Sequence, residues 1–283
     1  MSNLLVVTAA ATTFAAAAVQ GACLSDVQAA ALVASYMNRQ PASNLEGLST
    51  ADGECTRAKV NHYLEQQLGK PVGYKAGLTN PAVQKRFNHH SPVRGTLYAP
   101  MLLKDGATVD AKFGARPLFE ADMLVRVSDA RINRARTPED VLRAIDQVTP
   151  FIELPDLVVE TPAKLNGAAI NAINVGARLG VLGMPIAVQR SAAFSNALRD
   201  MQVVIKIDGV EVDRGQGADV LGHPLNAVIW LAQDLAREGA ALKKGDLISL
   251  GSFSKLLQPK PGMAVEVGYR GLPNDPVVRV NFK

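Results

Sequence analysis

The sequence has no run of basic residues. Its 30 lysine and arginine residues are scattered over 283 positions, and they are not interleaved with aromatic residues, which make up 5% of the chain. Nucleic-acid-binding proteins usually concentrate positive charge beside stacking aromatics, so we expect no nucleic-acid partner. The net charge of +4 still favours the attraction of small organic acids.

The sequence also has no internal repeat and no low-complexity linker. Its composition, 48% hydrophobic and 20% charged, is that of an ordinary globular protein. A chain of this length forms one large domain or two small ones. We predict a single domain over residues 23–283, with a mainly helical part over 23–94 and a β-rich part over 95–283.

Charged residues are absent from the first 25 positions, and Leu4–Val19 is apolar and rich in alanine and threonine. Small residues suited to cleavage follow, so residues 1–22 are predicted to be a secretory signal peptide. The segment lacks a positive n-region, and an uncleaved anchor or a misassigned start are the alternatives. We expect a periplasmic or secreted protein without a stable membrane span in its mature form, or a cytoplasmic protein if the segment is not a functional signal.

Cysteine is scarce, with Cys23 and Cys55 as the two copies. In an oxidising compartment they can pair and join the N-terminal arm to a helix. If cleavage removes or lipidates Cys23, Cys55 remains alone. The interpretation favoured from the sequence is a buried, inert Cys55.

The helix signals cluster at the N-terminus. Ser25 and Gln28 form a capping box that begins one helix, and a second helix is predicted from about Thr50 to Leu68, closed by Gly69. Another amphipathic helix is predicted over Leu221–Arg237. Helices gathered at one end of a chain that is otherwise rich in strands are typical of an α+β fold.

Strand signals dominate after residue 95. Residues 97–103 are predicted to form one strand, and the region 165–183, rich in glycine and asparagine, is predicted to form strands that line a pocket. Asp208-Gly209 lies between two apolar runs and predicts a hairpin with a type I′ turn.

Two carboxylates lie inside one of these strand-like runs. Because a strand sends alternate side chains to the same face, Glu120 and Asp122 are predicted to point the same way. Glu153 lies in a second apolar run. Buried carboxylates are costly unless they are paired or bind a metal ion, and Mg²⁺ commonly uses such ligands. The spacing also fits a solvated strand face, or a glutamate that pairs with an arginine.

Several short motifs occur in a fixed order along the chain. They are Gly73-Tyr74-Lys75-Ala76-Gly77-Leu78-Thr79, Glu120-Ala121-Asp122, Glu153, Leu221-Gly222-His223-Pro224-Leu225 with its continuation to Ala232, Gly251-Ser252 and Pro261-Gly262. Together they resemble the 2-keto-4-pentenoate hydratase and 4-oxalocrotonate decarboxylase family, within the fumarylacetoacetate hydrolase-like superfamily. The resemblance covers about residues 26–283.

The resemblance implies a mixed β-roll or sandwich with the N-terminal helices packed outside. It implies a lyase that acts on a small 2-oxo acid or its enol with a divalent metal ion, Mg²⁺ or alternatively Mn²⁺, and that forms a homo-oligomer. The implied metal ligands are Glu120, Asp122 and Glu153, and the implied catalytic residue is Lys75. Asn174, Gly251 and Ser252 are the implied substrate-binding residues.

The sequence departs from the family pattern at several places, and two of these departures bear directly on the proposed chemistry. The segment Ser91–Gly95 contains no acidic residue where the hydratases carry one, and Asp122 stands in place of a glutamate. Decarboxylation or tautomerisation therefore competes with hydration. Two further hypotheses remain open: an exported organic-acid-binding protein that keeps the metal site, and a carbon–carbon bond hydrolase. The hydrolase would need a His–Glu pair, for which His62 and Glu65 are the candidates.

Overall fold

The computed structural model describes residues 22–283, so almost all of the predicted signal peptide lies outside the described residues. The helices are α1 (Asp26–Met37), α2 (Thr50–Leu68), α3 (Pro81–Arg86), α4 (Pro138–Ala144), α5 (Gly167–Ala172), α6 (Ala192–Asp200) and α7 (Asn226–Arg237). None of the helices in this part of the chain combines the length and the hydrophobicity needed to cross a bilayer.

The strands are mostly short and follow one another closely after α2. They are β1 (Pro71–Gly77), β2 (Val93–Tyr98), β3 (Leu102–Lys104), β4 (Ala107–Val109), β5 (Glu120–Val127), β6 (Ile145–Leu154), β7 (Leu179–Leu182), β8 (Ile186–Ala187), β9 (Gln202–Ile207), β10 (Val210–Gln216), β11 (Leu247–Ser249), β12 (Ala264–Arg270) and β13 (Val277–Phe282).

The strands form two mixed sheets. The eight-stranded sheet has the order β2-β1-β11-β5-β6-β7-β3, with β8 paired to β6, and the five-stranded sheet has the order β10-β9-β12-β13-β4. Most neighbours are antiparallel, but β1 runs parallel to β11, β3 runs parallel to β7, and β4 runs parallel to β13. The two central strands of the large sheet, β5 and β6, are the ones that carry the predicted metal ligands.

Two hydrophobic cores lie on opposite faces of the large sheet. On β5, Ala121, Met123 and Val125 belong to the core that also contains residues of the five-stranded sheet. Leu124, and Phe151 on β6, belong to the second core, which the N-terminal helices cover. Because strand residues alternate between faces, Glu120 and Asp122 lie on the side of the N-terminal helices.

The N-terminal helices begin where the sequence predicts. Ser25 and Gln28 form the capping box of α1, and Ser49 caps α2 in the same way. Cys23 and Cys55 form a disulfide with a Cα–Cα distance of 5.6 Å, which ties the segment before α1 to α2. The favoured interpretation of an unpaired Cys55 was therefore wrong, because the chain entering α1 passes within bridging distance of α2.

Other parts of the local prediction need correction. Residues 165–183 hold α5 and a 3₁₀ turn at Asn174–Gly176 before β7, so the predicted strands occupy only the end of this region. Residues 97–103 are not one strand, because β2 ends at Tyr98 and a 3₁₀ turn leads to β3, which pairs with β7. The helix predicted from Leu221 begins at Asn226. The hairpin prediction is confirmed, with positive φ at both central residues, Asp208 and Gly209.

Candidate active site

The three predicted metal ligands lie on two neighbouring strands. In the antiparallel pair β5–β6, Glu120 is opposite Glu153, and Asp122 is opposite Phe151. Residues that are directly opposite, or two positions apart on one strand, project from the same face of a sheet. The register therefore puts all three carboxylates on the face covered by the N-terminal helices.

Lys75 lies on β1 and reaches the same group. Its ammonium donates hydrogen bonds to the Glu153 carboxylate and, over 3.0 Å, to the carbonyl oxygen of Val175. The side chains of Lys75 and Glu153 are 3% and 4% exposed, so this is a buried ion pair. A buried pair of this kind positions both groups firmly, because breaking it leaves one charge without compensation.

Burial shifts the acid–base balance of this group. Desolvation lowers the pKa of Lys75 from 10.5 to about 8, although the charges of Glu120 and Asp122 act in the opposite direction. Desolvation raises the pKa of Glu120 from 4.5 to about 7, against the effect of the Lys75 ammonium. Burial also raises the pKa of Asp122. Each shift has the same cause, since a charge loses its hydration in a dry site.

Asp122 is held by the turn that follows β11. Its carboxylate accepts hydrogen bonds from the hydroxyl of Ser249, from the amide of Leu250 at 3.1 Å and from the amide of Gly251 at 3.0 Å. Gly251 has a φ of +105°, and a side chain there would collide with Thr79. The predicted substrate-binding amide of Gly251 thus donates to Asp122, and its contact with a substrate stays a prediction.

As the side chains stand, no group of three or more His, Cys, Asp or Glu residues among positions 22–283 is arranged to hold a metal ion. The reason is local: Lys75 engages Glu153, and the short Asp122 side chain is drawn towards the turn after β11. The donor chemistry and the charge nevertheless fit a hard divalent cation. When ionised, three carboxylates and one ammonium leave two negative charges uncompensated, a balance that suits a divalent cation.

Asn174 shapes the wall beside Lys75. Its side-chain oxygen accepts from the amide of Thr96 at 2.7 Å, and its side-chain nitrogen donates to the carbonyl of Thr96 at 3.0 Å. Asn174 and Val175 have φ values of +55° and +53°, and this left-handed turn directs the Val175 carbonyl to Lys75. The side-chain amide of Asn174 engages the backbone of β2 with both its oxygen and its nitrogen, and its predicted contact with a substrate stays a prediction.

Ser252 lies near Glu120. Its hydroxyl donates to the carbonyl of Ser254 at 2.8 Å, and the nearby Ser252 side chain opposes the rise that burial causes in the pKa of Glu120. The predicted role of Ser252 in substrate binding stays a prediction. Its position places a hydroxyl beside the first of the three carboxylates.

The histidine candidates lie away from this group. His62 contacts Gln66 at 3.0 Å, and both His62 and Glu65 line a cavity at the edge strand β2 that Lys75 does not line. His89 contacts Ser91 at 3.2 Å. The side chain of His223 accepts a hydrogen bond from the amide of Leu225 at 3.1 Å and so positions the start of α7. The structure therefore brings Lys75 together with the carboxylates, but not the histidines.

Two residues at the site were missed from the sequence. Ser249 donates to Asp122, and the hydroxyl of Tyr269 donates to the backbone carbonyls of Asp122 and Phe151. Ser249 interrupts an apolar strand, and that polar interruption was the available signal. Tyr269 gives no such signal, because a tyrosine in a strand is commonly a core residue.

Residues 62–274 match the family described as fumarylacetoacetate (FAA) hydrolase C-terminal. The chain belongs to the fumarylacetoacetate hydrolase family. Within this family it is similar to a 4-oxalocrotonate decarboxylase from Pseudomonas putida, at 30% identity over 226 residues, covering 80% of this chain and 83% of that one. It is also similar to 2-keto-4-pentenoate hydratase 2 from Dechloromonas aromatica, at 32% identity over 204 residues, covering 72% and 76%. The resemblance inferred from the motifs is confirmed.

Solved structures of the fumarylacetoacetate hydrolase family share the fold. A 4-oxalocrotonate decarboxylase from Pseudomonas putida G7, complexed with magnesium and adipate, matches with a TM-score of 0.79 at 26% identity, covering 93% of this chain and 100% of that one. A fumarylpyruvate hydrolase from Pseudomonas aeruginosa, in complex with Mn²⁺ and pyruvate, matches with a TM-score of 0.54 at 14% identity, covering 74% of this chain and 89% of that one. The second likeness shows the fold alone. The predicted α+β class is confirmed.

Proposed function

We propose that the chain is a lyase that uses a divalent metal ion to hydrate or decarboxylate a small 2-oxo acid or its enol. The observation that carries this proposal is the Lys75 ammonium buried against Glu153, on the sheet face that also carries Glu120 and Asp122. Relatives named as decarboxylases and hydratases support it. So does the decarboxylase structure described as complexed with magnesium and an organic acid.

Glu120, Asp122 and Glu153 are the residues proposed to hold the ion. Their oxygen ligands suit Mg²⁺, and Mn²⁺ is the alternative. When bound, the ion supplies Lewis-acid polarisation of the 2-oxo group. Both oxygens of the Asp122 carboxylate accept hydrogen bonds from Ser249 and from the amides of the following turn, so binding of the ion requires Asp122 to exchange at least one of these contacts.

Lys75 is the proposed proton carrier. Its Nζ is desolvated and oriented by two acceptors, Glu153 and the Val175 carbonyl, so it can hold a substrate anion or move a proton at a fixed position. Residues 91–95 supply no carboxylate, and the Arg94 side chain in this segment is bound to Asp234. Decarboxylation or tautomerisation therefore requires fewer catalytic groups from this chain than water addition does, because neither needs the missing carboxylate.

Metal binding is tested by thermal unfolding with and without Mg²⁺ and oxalate. We expect the wild-type Tm to rise, since a ligand at about 100 times its Kd stabilises by about 2.7 kcal/mol. The Tm of Glu120→Gln should rise much less when Mg²⁺ and oxalate are added. Glu211→Gln, at an exposed glutamate paired with Arg214, is the matched control and should behave like the wild type. A wild-type Tm that ignores Mg²⁺ would remove the proposed site.

The reaction is tested by NMR with 2-hydroxypenta-2,4-dienoate and 4-oxalocrotonate, which distinguishes water addition from loss of CO₂. Lys75→Met should lower turnover by about 10²–10⁴-fold, because it removes the proton carrier. Circular dichroism must show that the variant is folded. Full turnover by folded Lys75→Met would refute the role of Lys75. Binding of organic acids without any turnover would establish the binding-protein hypothesis instead.

We also propose that the protein is periplasmic or secreted. The Cys23–Cys55 disulfide supports this, because such bonds persist in oxidising compartments. The pairing also uses the Cys23 thiol that lipidation would consume. N-terminal sequencing of protein from a periplasmic extract should give a start close to Cys23. An intact Met1 in cytosolic protein with reduced cysteines would exclude export.

A homo-oligomer is the further proposal, and it rests on the family resemblance. Light scattering coupled to size exclusion checks it, since a monomer of this chain has a mass of 30.0 kDa. A mass equal to that of one chain at micromolar concentration would contradict the proposal.

A further inference from the structure

The cavity that His62 and Glu65 line lies at the edge strand β2, between α2 and the end of α7. Its volume is about 320 Å³, and Arg57, Tyr74, Arg94, Tyr98 and Glu238 are among its lining residues. Tyr74 is the neighbour of Lys75 on β1, and Lys75 lies opposite Gly95 on β2. Neighbours on a strand point to opposite faces, so Tyr74 and Arg94 point away from the Lys75 group.

One nitrogen of the buried Arg94 guanidinium makes a close but misaligned contact beside this cavity. The Arg94 side chain is 7% exposed, and its Nε donates to Asp234 at 2.6 Å. Its Nη2 lies 2.6 Å from a Glu238 oxygen, but it is the one buried side-chain nitrogen or oxygen within residues 22–283 that makes no aligned hydrogen bond. A buried guanidinium nitrogen without an aligned acceptor indicates a place for an anionic oxygen.

Glu238 occupies that place imperfectly. Its carboxylate bridges Arg57 and Arg94, yet its side chain is 44% exposed, whereas those of the two arginines are 4% and 7% exposed. Glu238 is also the C-terminal cap residue of α7, where a negative charge is opposed by the helix dipole. The two arginines are thus fixed in the wall, and the carboxylate between them is free to turn out into solvent.

The remaining walls favour a flat organic group. The half-buried Tyr74 lines the cavity, and the Arg94 guanidinium lies 5.9 Å from its ring centroid, whereas the Tyr98 ring is fully buried. An aromatic ring beside a guanidinium suits a planar ligand that packs on the ring and directs its charge to the arginine.

We propose that this cavity binds a small aryl carboxylate, whose carboxylate displaces Glu238 from Arg57 and Arg94. The site is separate from the one proposed for metal and 2-oxo acid. Glu238 acts as an internal competitor, so the free protein exposes the paired arginines for only part of the time.

The test measures benzoate binding by isothermal titration, with benzamide as the uncharged ligand of the same shape. We expect wild-type protein to bind benzoate and not benzamide. Glu238→Gln should bind benzoate at least about fivefold more tightly, because it removes the competitor. Arg94→Gln should bind at least about tenfold more weakly, because a charge-assisted hydrogen bond is lost. Arg126→Gln, at an exposed arginine paired with Asp146, should match the wild type.

If Glu238 and Arg94 only stabilised the fold, Glu238→Gln and Arg94→Gln would not change the affinity for benzoate in opposite directions. If Arg94→Gln fails to fold, the half-exposed Glu238 still gives a decisive result, because unchanged or weaker binding by Glu238→Gln overturns the proposal. Benzoate binding must also persist in Glu120→Gln, which shows that the ligand does not bind at the proposed metal site. Equal binding of inorganic phosphate would refute the aryl carboxylate class.

Discussion

At the residue scale, the turn at Asn174 and Val175 links the backbone of β2 to the catalytic candidate. The Asn174 amide forms a pair of hydrogen bonds with Thr96, and the next carbonyl accepts from Lys75. Asparagine tolerates a positive φ better than most residues, which explains its presence at the start of this turn. Asn174 is therefore a residue that positions Lys75 through the backbone.

Replacing Asn174 tests this link. Asn174→Gly removes the amide but still tolerates the left-handed backbone, and the buried Thr96 groups lose their partner. We expect the free energy of unfolding in urea to fall by about 2–3 kcal/mol. Turnover that depends on Lys75 should fall as well.

Asn44 provides the matched control for Asn174. Its amide forms the same pair of hydrogen bonds with Thr161, at 2.8 and 2.9 Å, but in an exposed position. Asn44→Gly should therefore cost less, about 0.5–1 kcal/mol, because water replaces the lost partner. Equal losses for the two variants would contradict the importance of the buried position.

The pH dependence of the free energy of unfolding should report the protonation of the buried His223 side chain. Burial lowers the pKa of His223 below its ordinary value of 6.5, and its side chain accepts from the Leu225 amide. The unfolded chain then binds the proton more readily than the folded chain. The stabilising contribution is complete above pH 6.5 and is lost as the pH falls from that value towards the folded pKa.

Urea unfolding from about pH 7.5 to about pH 5.5 measures this effect. His223→Asn should remove the part of the pH dependence that His223 contributes. His89 contributes in the same direction, because burial also lowers its pKa, whereas the raised pKa of Glu120 acts in the opposite direction over this range. The measure is therefore the difference in stability between the wild type and His223→Asn, and a difference that grows in favour of the wild type towards low pH would contradict a buried neutral histidine.

Part of the site can be read from single residues. Alternation along β5 predicts that Glu120 and Asp122 share a face, and the register of the sheet agrees. Their relation to Glu153 and Lys75 depends on which strands become neighbours, and sequence spacing does not contain that information. The donors to Asp122 come from the turn after β11, more than a hundred residues away, so only the motif resemblance drew attention to Gly251.

At the scale of elements, the disulfide makes α1 and α2 one unit. It closes a sequence separation of 32 residues at the start of the described chain. Removing it should lower the free energy of unfolding by about 3–4 kcal/mol, because the unfolded chain regains the freedom of that loop.

The measurement is urea unfolding with and without a reducing agent. The double variant Cys23→Ser with Cys55→Ser should match the reduced wild type, and reductant should not affect it further. If oxidised and reduced wild type unfold at the same urea concentration, then the bond contributes nothing to the stability of the fold.

Local sequence signals predicted the start of a helix and a turn correctly where the conformation depends on neighbouring residues alone. The capping box at Ser25 and the turn at Asp208-Gly209 are of this kind. The prediction of strands over residues 165–183 was wrong for most of that region, because a short apolar run with small residues fits a buried helix as well as a strand. In the structure α5 packs against α2, and this tertiary contact decides the outcome.

At the scale of the whole molecule, one hydroxyl joins the two sheets. Tyr269 lies on β12 of the smaller sheet, and its hydroxyl donates to the Asp122 and Phe151 carbonyls, the latter at 2.9 Å. The amide of Phe151 donates back to it at 3.2 Å. The hydroxyl therefore completes the hydrogen bonding between β5 and β6 beside the carboxylates.

Tyr269→Phe should lower the free energy of unfolding by about 1–3 kcal/mol, because buried backbone groups lose their partner. It should also weaken Mg²⁺ binding, since the Asp122 backbone is no longer held. Tyr63→Phe, at a half-buried tyrosine on α2, serves as the control. A Tyr269→Phe protein with unchanged stability and metal affinity would show that the bridge is dispensable. The family resemblance predicted the two-sheet architecture, but it gave no indication of this bridge.

The Tyr269 bridge also bears on the order in which the protein matures. The hydroxyl is separated from its two carbonyl acceptors by 147 and 118 residues. A ribosome releases the chain from its N-terminus, so the carboxylate-bearing strands emerge long before the tyrosine that completes them. The centre of the protein is consequently finished among the last parts, once nearly the whole chain has been synthesised.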